Sequence, residues 1–175
     1  LQELSSGRFI LGVGVGWMGP EFRALGVPRN KRGKIFEDTL SFINDCFEKD
    51  VMSSNGQDFI FEPKPKKPSI LVGGMSAAAF ERAVKVGAGW FPIGRLSEMK
   101  DRIQLFRDLT EKKYGRPSEV VTYCSFAGQS ESDFCDELNS FRDAGISRVI
   151  INTKYETADD WSRVFEVFDK VLPKF

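Results

Sequence analysis

The sequence predicts an α/β fold in which helices cover a parallel sheet, and three observations lead there. Ser69-Ile70-Leu71-Val72 is a short apolar run between Pro68 and the pair Gly73-Gly74, the pattern of a strand buried on both faces. That run passes at once into a helical pattern opened by Ser76. Strand and helix patterns then alternate to the C-terminus with short connections, which implies right-handed crossovers between parallel strands. Two architectures satisfy these rules. A flavodoxin-like open sheet needs helices on both faces, whereas a closed (β/α)8 barrel needs eight strand–helix units, and only five are legible here.

At 175 residues the chain fits one domain, 1–175. Lysine plus arginine equals aspartate plus glutamate, 25 against 25, so charge points neither to nucleic acid nor to an acidic membrane. Cys46, Cys124 and Cys135 are odd in number and sit in apolar segments, as reduced thiols of a cytoplasmic protein do, and core packing is their expected role. No apolar run is long enough for a membrane span. Histidine is absent, which removes the commonest neutral-pH acid/base group and transition-metal ligand; neither a Ser-His-Asp hydrolase nor a metal centre is expected.

Leu1 to Gly7 reads as the end of a helix meeting a glycine stop, as if the chain started within a larger sequence. Arg8 to Trp17 reads as a strand with Gly12, Gly14 and Gly16 on one face and Val13, Val15 and Trp17 on the other. The bare face accommodates either a flat ligand or a neighbouring layer of core. It is not a dinucleotide fingerprint, because G-x-G-x-x-G requires a glycine where Trp17 stands. Residues 17–68 form a long excursion between two core strands. Within it Phe36, Leu40, Ile43 and Phe47 mark an amphipathic helix whose start holds Arg29, Lys31, Arg32 and Lys34, either a solvated basic face or an anion site. Asn55-Gly56 predicts a hairpin with a primed turn, and Pro63 to Pro68 runs extended into the central strand.

Gly73 and Gly74 either make a tight strand-to-helix turn or let a phosphate approach backbone amides at the helix N-terminus. Ala83 and Val84 continue that helix and Gly87 ends it. A strand follows at Gly89 to Gly94, then a helix capped by Ser97 with Met99, Ile103, Phe106 and Leu109 on one face, stopped by Gly115. Val120 to Phe126 is the next strand, Phe134, Leu138 and Phe141 mark the next helix, and Gly145 closes it. Arg148 to Asn152 is the last strand. The final helix has Thr157 as N-cap with Asp160 three residues on, then Trp161, Val164, Phe165, Phe168 and Val171.

Four motifs in order carry a family resemblance: Leu4 to Trp17; Glu21-Phe22 with Ala24-Leu25-Gly26; Lys64-Pro65 before Ile70 to Ser76; and Gly87 to Pro92. Together they resemble the bacterial luciferase-like monooxygenase family, and within it most closely the members that use the deazaflavin F420 in place of FMN. The resemblance implies a (β/α)8 barrel, here about strands four to eight. It implies a cofactor, F420 or FMN, whose phosphate lies on Gly73, Gly74, Met75 and Ser76, with Gly94 and Arg95 nearby. It also implies that Gly14, Gly16 and Trp17 face the ring. The first three strand–helix units are missing, so no catalytic residue is carried over. The chain is then either a fragment or a naturally shortened relative.

The resulting expectation is a flavin- or F420-dependent oxidoreductase acting on a small molecule, in a parent that forms a homo-oligomer. The alternatives are a flavin-binding or interaction protein without turnover and a cofactor-free flavodoxin-like module. F420 carries an acidic tail that FMN lacks, and the basic rim of Arg29, Lys31, Arg32 and Lys34 would favour it.

Overall fold

The computed structural model describes every residue except Gly87, so the expected glycine stop at that position lies outside the described residues. The chain clusters into two compact units, Leu1–Gly73 and Gly74–Phe175, which are taken separately.

The first unit contains, in order, β1 (Ile10–Val13), α1 (Gly19–Ala24), α2 (Arg32–Glu48), β2 (Met52–Ser54), β3 (Gln57–Phe59) and β4 (Ser69–Gly73). Strands β1 and β4 pair in parallel, from Ile10 opposite Ser69 to Val13 opposite Val72. Ile70, Leu71 and Val72 are all buried, as an apolar run without alternation requires. The hairpin forms as read: Asn55 and Gly56 have φ of 51° and 75°, the two left-handed positions of a type I′ turn, and Ser54 faces Gln57. Leu40 is buried on α2, while the Phe42–Phe59 and Phe47–Phe61 ring contacts tie the helix to the hairpin segment.

One expectation for this unit is corrected. The strand predicted over Arg8 to Trp17 is four residues long, Ile10 to Val13, and the chain beyond it turns at Gly16, with φ 74°. Leu1 to Gly7 has the hydrogen bonds of a helix end, as read, with left-handed backbone at both Ser6 and Gly7. It closes with Gly7 N–H on Gln2 O and Ser6 N–H on Glu3 O, and Ser6 adopts φ 52°.

The second unit runs α3 (Ala77–Val86), β5 (Gly89–Phe91), α4 (Leu96–Tyr114), β6 (Val121–Phe126), α5 (Glu131–Asp143), β7 (Arg148–Thr153) and α6 (Ala158–Val171). Strands β6 and β7 pair in parallel over their whole length, and Trp90 of β5 bridges Val120 in parallel. The core between α3 and α4 is aromatic: Phe80, Trp90 and Phe106 are buried with centroids 5.3 to 5.7 Å apart, in tilted and edge-on geometry. Burying each such ring contributes roughly 1.5–3 kcal/mol. A second aromatic group, Phe126, Phe134 and Phe168, joins β6 to α5 and α6.

Here the sequence reading is corrected at four points. The strand expected over Gly89 to Gly94 ends at Phe91. Helix α4 begins at Leu96 with Arg95 as N-cap and no side-chain cap, so Ser97 lies inside the helix. Leu109 is exposed, because the face of α4 that packs is completed by Thr110, whose hydroxyl donates to Phe106 O and accepts from Ser118 N. Trp161 and Phe165 also lie exposed, leaving Val164 and Val171 as the buried residues of α6. Among the described residues no barrel is closed: the parallel strands stand as short sheets whose edges are unpaired. No helix among them is long and apolar enough to cross a membrane.

Candidate functional site

The turn between β4 and α3 is built from small residues held by larger ones. Gly74 has φ 127°, a conformation in which any Cβ is strained, and a Cβ there would lie 3.1 Å from the Ala79 Cβ. Its own polar groups are committed, since its N–H donates to Phe91 O at 3.1 Å and its carbonyl accepts from Trp90 Nε1 at 2.9 Å. Ser76 caps α3 as read, its Oγ accepting from Ala79 N at 3.2 Å. Ser76, Ala77 and Ala78 are exposed, and the Ala77 and Ala78 amides open the helix, where no intrahelical acceptor exists for them. Their small side chains leave the approach clear.

Arg102, on α4, is a residue at this turn that the sequence reading missed. Its guanidinium donates to Met75 O at 2.5 Å and to Ser76 O at 3.4 Å, and it stacks over the Phe80 and Trp90 rings at 5.4 and 5.3 Å. A planar fork that hydrogen-bonds and stacks together sets the turn in place. No local signal marks it, because the contact joins positions 27 residues apart.

Gly94 is brought to the same turn: a Cβ there would sit 3.6 Å from Met75 Cε and 3.5 Å from Glu98 Oε2. The Glu98 carboxylate therefore stands on that side, opposing an anion placed against Gly94 itself. Arg95 is exposed at the start of α4. The remaining predicted residues belong to the first unit. Gly73 ends β4, and a Cβ on it would lie 3.5 Å from Val13 O. Gly14 is exposed with open space where a Cβ would be, Gly16 lies against the Phe22 ring, and Trp17 is 76% exposed. A shallow cavity of about 320 Å³ lies against Gly12 and Gly14 and is closed by Phe36, Leu40 and Ile43 of α2. Of the basic residues before and within α2, Lys34 pairs with Asp38 at 2.5 Å and Arg32 donates to Arg29 O, so part of that face is engaged locally.

Cys124 on β6 is buried, and burial, reinforced by the neighbouring Glu137 carboxylate that its thiol faces, pushes it up to about 12. It stays a thiol at neutral pH and is no nucleophile. Among the described residues no group of three or more Cys, Asp or Glu side chains is arranged to hold a metal ion.

Parallel strands feeding helices, with a glycine turn at a helix N-terminus, define an α/β protein. The sequence profile of luciferase-like monooxygenases matches residues 1–149, and the chain belongs to that family. An uncharacterised protein of Mycobacterium tuberculosis is 26% identical over 161 residues, covering 86% of this chain and 53% of its own length. The FMNH2-dependent dimethylsulfone monooxygenase of Pseudomonas putida is 29% identical over 109 residues, covering 56% of this chain and 30% of its own. Among solved structures, the monooxygenase RslO1 of Streptomyces bottropensis superposes with a TM-score of 0.61 at 15% identity, over 99% of this chain and 51% of that one. The chain thus spans about half the length of the curated relatives it first matches.

Proposed function

We propose that this chain is part of a flavin-dependent oxidoreductase, acting as a monooxygenase on a small molecule, and that the cofactor phosphate binds at the Gly73–Ser76 turn. The observation that carries the reading is the exposed start of α3, with the Ser76–Ala78 backbone open to an anion and the turn held from behind by Arg102. Family membership and the FMNH2-dependent relative support a flavin; FMN is the first choice and F420 the second.

The residues present fit a phosphate monoester. The helix places unpaired amides and the positive end of its dipole at the approach. Since the Gly74 N–H is already given to Phe91 O, the hydrogen bonds to the phosphate come from Ser76, Ala77 and Ala78. Gly74 serves instead to let the chain turn. Arg95 is the additional cation on the α4 side, and the Glu98 carboxylate keeps the anion away from Gly94. Gly14, with open space where a Cβ would be, and the exposed Trp17 are the β1-end positions open to a flat ring, while Gly16 is backed by the Phe22 ring. When bound, a flavin supplies hydride or electron transfer, while the protein supplies binding, orientation and shelter from water. No acid or base of this chain is assigned to the reaction.

Titration of the chain with FMN and with F420, followed by quenching of cofactor fluorescence, tests the reading. Saturable binding of either below millimolar concentration is expected, and the tighter ligand identifies the cofactor. Absence of binding to both overturns it. Binding without reductant-dependent turnover in the full-length parent would favour a flavin-binding protein over an enzyme.

A further inference from the structure

Strands β6 and β7 run in register from Val121 opposite Arg148 to Phe126 opposite Thr153, so their carboxyl ends finish side by side. A cavity of about 630 Å³ opens there, between those strand ends, the loop after β6 and the first turns of α6. Its volume falls within the range of about 300–1,000 Å³ typical of small-molecule sites, and carboxyl ends of parallel strands are where such folds bind ligands. The inner wall is apolar, made by Phe126 with Val164 and Val167 of α6.

The charges at its rim are unequal. Lys154 and Arg163 line the cavity against a single carboxylate, Asp160. That carboxylate is already in use. Its Oδ2 accepts from Thr157 N at 3.0 Å, Thr157 Oγ1 at 2.7 Å and Glu156 N at 3.4 Å, and its Oδ1 lies 3.7 Å from Arg163 Nη1. Asp160 therefore stands beside Arg163 and offsets one of the two rim cations. Among the described residues Lys154 makes no ion pair. The rim carries two cations and one engaged carboxylate, a surplus of one positive charge above an apolar wall.

We propose that this cavity binds a small monocarboxylate with an apolar body, the acid group on Lys154 and Arg163 and the body against Phe126, Val164 and Val167. A single surplus charge matches a carboxylate better than a doubly charged phosphate, and the apolar wall selects an alkyl or aryl body over a sugar. The assignment does not rest on the flavin reading, since none of these residues belongs to the β4–α3 turn.

The test uses octanoate, octanol and octyl phosphate, titrated into the 175-residue chain and followed through backbone amide shifts. Octanoate is expected to bind saturably below about 10 mM, shifting the amides of Gly128, Asn152 and Lys154, and to bind at least about tenfold more tightly than octanol. The double variant K154Q/R163Q should lose that preference while keeping the melting temperature of the parent, and Arg163→Lys should restore part of it. Lys154→Gln alone, a loop substitution, provides the same comparison if the double variant fails to fold. Equal affinity for octanoate and octanol, unchanged affinity in the variants, or no saturable shift overturns the proposal. Tighter binding of octyl phosphate overturns the carboxylate assignment. Because no flavin is added, a failure here leaves the reading of the β4–α3 turn standing, and the flavin titration can fail independently.

Discussion

Gly74 opens the second unit with a φ of 127°, and Ala79 Cβ lies where its own Cβ would press. Gly74→Val is therefore expected to cost about 1–3 kcal/mol of backbone strain and to weaken flavin binding tenfold or more, seen by urea unfolding and cofactor titration. Unchanged affinity in a folded variant would place the phosphate elsewhere. The need for glycine was legible, because a strand that turns sharply into a helix demands one. That its N–H is spent on Phe91 O was not, since the partner lies on the following strand. Cys124 makes a second prediction. With its thiol pushed up to about 12, the protonated form is favoured in the fold, so this contribution is fully present below the ordinary thiol range and is lost as pH rises toward about 12. Alkylation at pH 8 should label the partly exposed Cys135 first, while Cys46 and Cys124 react only on unfolding. Rapid native labelling of Cys124 would contradict its burial.

Helix α6 shows most fully how a short sequence pattern becomes a physical device. Thr157 and Asp160 form the reciprocal capping box expected of their spacing, with Asp160 N donating to Thr157 Oγ1 and Thr157 N donating to Asp160 Oδ2. These hydrogen bonds, the Thr157 hydroxyl foremost, hold the Asp160 carboxyl below its usual range. A carboxyl lowered in the fold stabilises above its unfolded value, near 4, and that stabilisation disappears as pH falls through the folded value. Thr157→Ala should lower stability by about 1 kcal/mol at pH 7 and flatten the pH dependence of unfolding between pH 5 and the acid limit, measured by urea titration across that range. A parallel loss at every pH would show that the cap acts without the carboxylate. Helix α4 gives the contrary case. Ser97 has the right chemistry for a cap, yet the N-cap lies two residues earlier, at Arg95. The last extended residue is Arg95, at φ −74° and ψ 143°, and no side chain caps the helix there.

Across the molecule, the parallel sheets end in open edges among the described residues. Strand β7 pairs only with β6, and the face they share carries Tyr123 and Ile150 at 42% and 40% exposure. Tyr155, just before α6, meets Trp161 in tilted contact and Trp161 meets Phe165 edge-on, all three exposed, with centroids 4.7 and 4.9 Å apart. Unpaired parallel edges and exposed rings favour association. Sedimentation of the purified chain over a concentration series is expected to show self-association, and a concentration-independent monomer would mean that these surfaces are tolerated bare. What the sequence by itself determined is what local chemistry controls: the order of strands and helices, the Asn55-Gly56 turn, the capped start of α6, the glycine turn after β4, and the family its motifs resemble. What only the tertiary structure decided rests on contacts between distant positions. Arg102 gripping Met75 and Ser76, the charged cavity at the ends of β6 and β7, and the exposure of Leu109, Trp161 and Phe165 all depend on which element lies opposite. A periodic pattern says that a helix has an apolar face, and only packing says how much of that face is covered.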